Sequence, residues 1–258
     1  MPKRVLVLGG TREGRELAVE LATWPGVDVT YSLAGRTRVP NLDGLSQSSI
    51  RIGGFGGVEG LIAYLQKYPV NAVVDATHPF ATMISEHAVV ATSAENTPYL
   101  RLERPAWTPT PNDDWRASQT IEDAVHVLAG MIDDGVRRVL LTIGIQDAHR
   151  FSPLAHPATL WVRSIEPPSN ELAARGLRGL EGRPPFALDD ELALFERLRL
   201  DAVVCKNSGG NATFAKIVAA RELALPVVMI ERVATEGDVY DMTSLADELR
   251  VLFQREND

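Results

Sequence analysis

The chain has 258 residues, of which 45% are hydrophobic and 23% charged, with a formal net charge of −8 and one cysteine. That length buries a large core and suits one big α/β domain or two smaller ones, while the acidic balance disfavours binding to nucleic acid or to an anionic membrane. A single cysteine, Cys205, excludes an internal disulfide and a thiolate metal cluster, no apolar run reaches membrane-spanning length, and Lys3-Arg4 precedes too few apolar residues for a secretory signal, so the reading is cytoplasmic.

Val5 to Leu8 reads as a buried parallel strand that runs into the string Gly9, Gly10, Thr11, Arg12, Glu13, Gly14, and the apolar spacing of a helix follows from Gly14 to Leu21. At such a junction free backbone N–H groups meet the positive end of the helix dipole, which suits a pyrophosphate. The common dinucleotide fingerprint has glycine at the first, third and sixth positions. Here these are Gly9, Thr11 and Gly14, so Thr11 departs from it while offering a hydroxyl donor. The second strand, Asp28 to Leu33, ends in Ala34, Gly35, Arg36, Thr37 and Arg38. NAD-selective sites place an acidic residue roughly 20 residues past the glycine turn. Arg36, with Arg38 close behind, instead complements a 2′-phosphate and points to NADPH.

Ile50 to Ile52 forms the third strand, and the glycine run from Gly53 to Gly57, Gly54 included, reads either as a close approach of backbone to the cofactor or as a flexible turn. A helix at Val58 to Gln66 and a strand at Ala72 to Ala76 lead to Thr77, His78 and Pro79. The proline keeps His78 out of helical conformation, and His78 lines the site rather than acting as a catalyst. A helix at Thr82 to Ala94 and a strand at Tyr99 to Leu102 complete the first half. Residues 105–118, with three prolines, resist regular structure and read as a linker or covering loop. This places a boundary between a domain at 1–117 and a second at 118–258.

The second half continues with a helix at Thr120 to Asp133 and strands at Val139 to Ile143 and Thr159 to Ser164. Residues 166–187, rich in proline and glycine, read as a mobile loop of the kind that forms lids, with a short helix possible at Glu171 to Arg175. A helix at Leu188 to Arg199, a strand at Ala202 to Cys205, a helix at Asn211 to Leu223, a strand at Val227 to Ile230 and a helix at Thr243 to Phe253 close the chain. Alternating strands and helices predict mostly parallel sheets in three layers.

Thr142, Gly144, Asp147, His149 and Arg150 follow one strand of the second half, and Asp147 or His149 could donate a proton. Lys206, Asn207, Ser208, Gly209, Gly210 and Asn211 follow another. They pair a lysine with hydroxyl and amide donors at an expected helix N-terminus, an anion cradle without the spacing of a triphosphate-binding loop. The five histidines include no helical pair with metal-ligand spacing, and no metal site is expected.

LGGTREGREL at the N-terminus, VVDATHPFA at 73–81, LRLERPAW at 100–107 and KNSGG with the following TFAKIVAARELALPVVMIER together resemble the precorrin-6A reductase family of cobalamin biosynthesis, in the same order over nearly the whole chain. TIGIQDAHRF at 142–151 is a looser match, and Val233 follows Arg232 where the family pattern has proline. The resemblance implies two Rossmann-like domains with an active-site cleft between them, and NADPH-dependent reduction of precorrin-6A to precorrin-6B. The first domain binds NADPH and the second contributes to binding a tetrapyrrole substrate. It implies a cofactor set of Gly9, Gly10, Thr11, Arg12, Glu13, Gly14, Ser32, Gly35, Arg36, Gly54, Thr77, His78 and Pro79. Arg104, Lys206, Asn207, Ser208, Gly209 and Gly210 are the candidates to meet the carboxylates of the macrocycle, with Asp147 and Lys206 as catalytic candidates. The proton donor stays open among Asp147, His149, Lys206 and solvent, as does the choice between a metal-free and a cobalt-bearing substrate, and the oligomeric state. A short-chain reductase or sugar-nucleotide epimerase would share the first turn, but no tyrosine here is followed four residues later by lysine. A non-enzymatic NADPH-sensing module is the other alternative.

Overall fold

The computed structural model describes residues 2–35, 43–165, 170–233 and 238–255. The chain divides into two compact units, one made of Met1–Arg104 with Ala234–Asp258 and the other of Pro105–Val233. The boundary expected at 117/118 therefore lies at 104/105, and the C-terminal segment belongs to the first unit rather than the second.

In the first unit β1 (Lys3–Leu8), α1 (Arg12–Ala22), β2 (Val27–Leu33), β3 (Ile50–Ile52), α2 (Gly57–Lys67), β4 (Ala72–Asp75), α3 (Thr82–Ala94) and β5 (Tyr99–Leu102) follow the expected rhythm. The central strands β1 and β4 carry short apolar runs buried on both faces, as a sheet covered by helices requires. On one face α1 packs Leu17 and Leu21 against Val5, Val7 and Val74. On the other, Leu61 of α2 and Ala88 of α3 cover Leu6 and Val73.

The second unit contains β6 (Trp115–Ser118), α4 (Ile121–Asp133), β7 (Arg138–Thr142), α5 (Ile145–Ala148), β8 (Thr159–Ser164), α6 (Asn170–Ala174), β9 (Arg178–Glu181), α7 (Leu188–Leu198), β10 (Ala202–Lys206), α8 (Ala215–Glu222) and β11 (Val227–Ile230). The chain then returns to the first unit with β12 (Val239–Tyr240) and α9 (Met242–Arg255). Leu245 and Leu249 of α9 join the core that holds Leu17.

Among the described residues both sheets have six strands and every pairing is parallel, in the orders β12-β5-β4-β1-β2-β3 and β6-β11-β10-β7-β8-β9. The first is the doubly wound order of dinucleotide-binding folds, with β12 as the outermost strand, and its order reverses between β1 and β4. The second reverses between β7 and β10. Loops at the C-terminal ends of those two strand pairs are where ligands bind in such sheets.

Three strands differ from expectation. β6 lies inside the supposed linker, β9 inside the supposed mobile loop, and β12 in a segment with no expected element. All three are edge strands with a single neighbour. Of the expected lid at 166–187, residues 166–169 lie outside the described residues. The rest is anchored by buried Leu172 and Leu177 and by the pairing of β9 with β8. Among the described residues no helix is long and apolar enough to cross a membrane.

Candidate active site

The register of the first sheet sets one row of residues across its C-terminal edge. Arg51 of β3 is level with Ser32 of β2, Ser32 with Leu8, Leu8 with Asp75 of β4, and Asp75 with Arg101 of β5. The glycine turn begins one residue beyond Leu8. A Cβ on Gly9 would stand 2.3 Å from the Tyr31 ring, and one on Gly14 would stand 2.7 Å from the Ala76 Cβ. Gly14 must be glycine because α1 enters so close to the end of β4, and Gly9 because the buried Tyr31 ring lies against it. Gly10 has φ +141° and open space where a Cβ would point.

Thr11 is the N-cap of α1. Its Oγ1 accepts from the Gly14 amide at 3.0 Å and donates to the Ala76 carbonyl at 2.7 Å. The hydroxyl proton expected to reach a phosphate is thus engaged with the end of β4, and what Thr11 and the first turn offer a ligand is backbone N–H. Arg12 is exposed and pairs with Glu16 at 2.7 Å. Glu13 pairs with Arg104 at 2.8 Å. A residue expected at the cofactor and one expected at the substrate therefore meet in one ion pair. Gly35 has φ +73° and packs against Ile52, and its predicted neighbour Arg36, with Arg38, lies outside the described residues.

Asp75 and Arg101 form a buried ion pair at the ends of β4 and β5 that the motifs did not single out. The Asp75 carboxylate also accepts from the Thr77 amide at 3.0 Å, the Thr77 hydroxyl at 2.7 Å and the Tyr99 hydroxyl at 2.9 Å. Arg101 reaches Ser85 Oγ at 2.5 Å and stands 3.5 Å from Glu103. Burial alone would lower the Arg101 guanidinium, but Asp75, Tyr99 and Glu103 hold it above the usual arginine value. Burial and the Asp75 charge push the Tyr99 phenol up. The network fixes the loop of Thr77, His78 and Pro79 from below. The Thr77 side chain is buried in it, and His78 Nδ1 accepts from the Phe80 amide at 3.3 Å. The signal was available: a charged residue inside an apolar strand, twice, in VVD and YLRL.

In the second unit Asp147 of α5 and Lys206 at the end of β10 lie on either side of the sheet's reversal point and pair at 2.6 Å, each partly exposed. The other groups of KNSGG face inward. Asn207 is 2% exposed, takes the Trp107 amide on Oδ1 at 2.8 Å, and donates through Nδ2 to the Trp107 carbonyl and to Glu231, each at 3.0 Å. Ser208 is buried. Gly210 accepts the Trp107 indole N–H at 2.9 Å, and a Cβ on Gly209, at φ +66°, would stand 2.2 Å from the Pro105 carbonyl. Arg232 Nε closes the arrangement by donating to the Asn207 carbonyl at 2.7 Å. α8 begins at Ala215, so the two glycine amides are not at its N-terminus. The loop clasps the chain entering the unit at Pro105–Trp107, and the expected cradle reduces to Lys206 with Asp147.

His149 is exposed, and Arg150 pairs with Glu122. Burial pushes the Cys205 thiol up to about 11. Among the described residues no group of three or more His, Cys, Asp or Glu side chains is placed to hold a metal ion.

A parallel sheet in the doubly wound order, with a glycine turn opening onto a helix at its reversal point, defines a dinucleotide-binding class of α/β protein. The family model described as precorrin-6x reductase CbiJ/CobK matches residues 4–250, and the chain belongs to that family of oxidoreductases. It is 44% identical to the precorrin-6A reductase of Rhodococcus erythropolis over 231 residues, covering 89% of each. It is 30% identical to the cobalt-precorrin-6A reductase of Methanothermobacter thermautotrophicus over 250 residues, covering 91% of this chain and 78% of that one. A solved structure described as CobK precorrin-6A reductase superposes with a TM-score of 0.86 at 36% identity, covering 97% of both chains.

Proposed function

We propose that this protein reduces precorrin-6A to precorrin-6B with NADPH, in cobalamin biosynthesis. The observation that carries the reading is the family match over 4–250, with the open glycine turn of Gly9, Gly10 and Gly14 at the reversal point of the first sheet. The residues present fit a dinucleotide. Gly10 leaves room for a phosphate, the Arg12 and Glu13 amides begin α1 without intrahelical acceptors, and among the described residues no acid stands at the end of β2 to select an unphosphorylated ribose. Ser32, Gly35 and Gly54 border the ribose end, and the loop of Thr77, His78 and Pro79 borders the nicotinamide end. When bound, the cofactor supplies the hydride. The protein holds the two reactants in register and keeps water away from them.

Lys206 meets a substrate carboxylate and, with Asp147, holds the proton delivered next to the carbon that receives the hydride. Arg104 and Ser208 are secondary candidates for substrate contact. Asn207 acts through the scaffold. The metal-free substrate is favoured over the cobalt form because identity to the precorrin-6A reductase named above is 44% and to the cobalt-precorrin enzyme 30%.

The test is the NADPH absorbance on mixing the protein with metal-free precorrin-6A and, in parallel, with its cobalt form. Oxidation with the first and not the second is expected. NADPH binding with neither substrate reduced would overturn the reading in favour of a sensor. Lys206→Ala is expected to lower kcat/KM on the order of a hundredfold with NADPH affinity unchanged. Unchanged kinetics would remove Lys206 from the site.

A further inference from the structure

Arg51, the middle residue of β3, stands level with Ser32 at the edge of the sheet where the glycine turn begins. Its guanidinium lies 3.7 Å from the centroid of the Phe55 ring and 5.4 Å from that of Tyr64. Nη1 donates to Ser32 Oγ at 3.3 Å and to the Gly53 carbonyl, and Nη2 donates to the Gly54 carbonyl at 2.9 Å. All three acceptors are neutral. Among the described residues no carboxylate pairs with Arg51, whereas Arg12, Arg101 and Arg104 of the same unit each have one. A half-buried cation held only by neutral groups is stabilised further by an anion, and its Nε–H, engaged in none of the three bonds, supplies a donor for one.

In this strand order the adenosine ribose lies at the end of β2, beside the loop that follows β3. The aromatic stack and the two carbonyls fix the guanidinium there before any ligand arrives, which limits the entropy lost on binding.

We propose that Arg51 recognises the 2′-phosphate of the dinucleotide and sets the preference for NADPH over NADH, an assignment that rests on the NADPH reading above. It is independent of Arg36 and Arg38, since the cation, its stack and its neutral acceptors all belong to described residues. The Gly53-Gly54 turn gains a role as well. Its two carbonyls orient the guanidinium, and the open space at both glycines leaves the approach to it clear.

The experiment is titration calorimetry of the protein, Arg51→Leu and Arg51→Lys with 2′,5′-ADP and with 5′-AMP, with circular dichroism to confirm that each variant is folded. Arg51→Gln stands in if the leucine variant does not fold. The unmodified protein is expected to bind 2′,5′-ADP more tightly than 5′-AMP. Arg51→Leu should weaken 2′,5′-ADP roughly ten- to a hundredfold while 5′-AMP stays within about twofold, with Arg51→Lys between. A folded Arg51→Leu that keeps its preference for 2′,5′-ADP, or that loses both ligands equally, would overturn the assignment and leave the NADPH reading standing. No preference in the unmodified protein would sink the NADPH reading and the assignment together.

Discussion

Gly10 and Gly209 both follow a buried parallel strand beside the point where a sheet reverses its order, yet their surroundings are opposite. Above Gly10 there is open space, and the helix that follows starts two residues later. At Gly209 the Pro105 carbonyl fills the place of a side chain, and the next helix starts only at Ala215. Glycine is required in both places by geometry, at Gly10 by its φ of +141° with open space beyond it and at Gly209 by the close approach of the protein's own chain. A glycine-rich loop after a strand therefore identifies a close approach without saying what approaches.

Substitutions at the two edges separate these roles. The largest effect is expected from Asp75→Ala, which takes the closer of two carboxylates from the buried Arg101 guanidinium, strands the Thr77 and Tyr99 donors and should cost about 3–5 kcal/mol in urea denaturation. Adding Arg101→Met should recover much of that loss, and a double variant as unstable as the single one would show that the pair is not the source. At the second edge Asn207→Ala removes the clasp on Trp107 and should cost about 1–3 kcal/mol, with affinity for 2′,5′-ADP unchanged. A loss of nucleotide affinity there would break the distinction between the two edges. Thr11→Ala, which removes the cap of α1 and its tie to Ala76, should be the mildest, at about 1 kcal/mol. Because the phosphate is assigned to backbone amides, nucleotide affinity should fall only slightly; a collapse of binding would return the hydroxyl to the site.

The central strands of both sheets were legible because they are buried on both faces and must be continuous apolar runs, as in VLVL and AVVC. β6, β9 and β12 were not, because an edge strand has one neighbour, and sequences such as WRAS and RGLE carry no run to mark them. At the site, the glycine turn and the THP loop were read from local sequence. The Asp75–Arg101 pair and the Arg51–Ser32 contact depend on which strands lie side by side and in what register, and no local pattern encodes that. The KNSGG loop was placed correctly after its strand, but its partners lie about 100 positions away in sequence at Trp107, so its inward orientation was invisible.

The return of the chain to the first unit has a consequence for biosynthesis. On the ribosome the whole of 105–233 emerges before β12 and α9 exist. The second unit is continuous in sequence and can close its core while translation proceeds. The first must wait with the part of its core that Leu245 and Leu249 of α9 fill still open and the outer edge of β5 unpaired. The first unit, although its synthesis begins earlier, is the last to be finished.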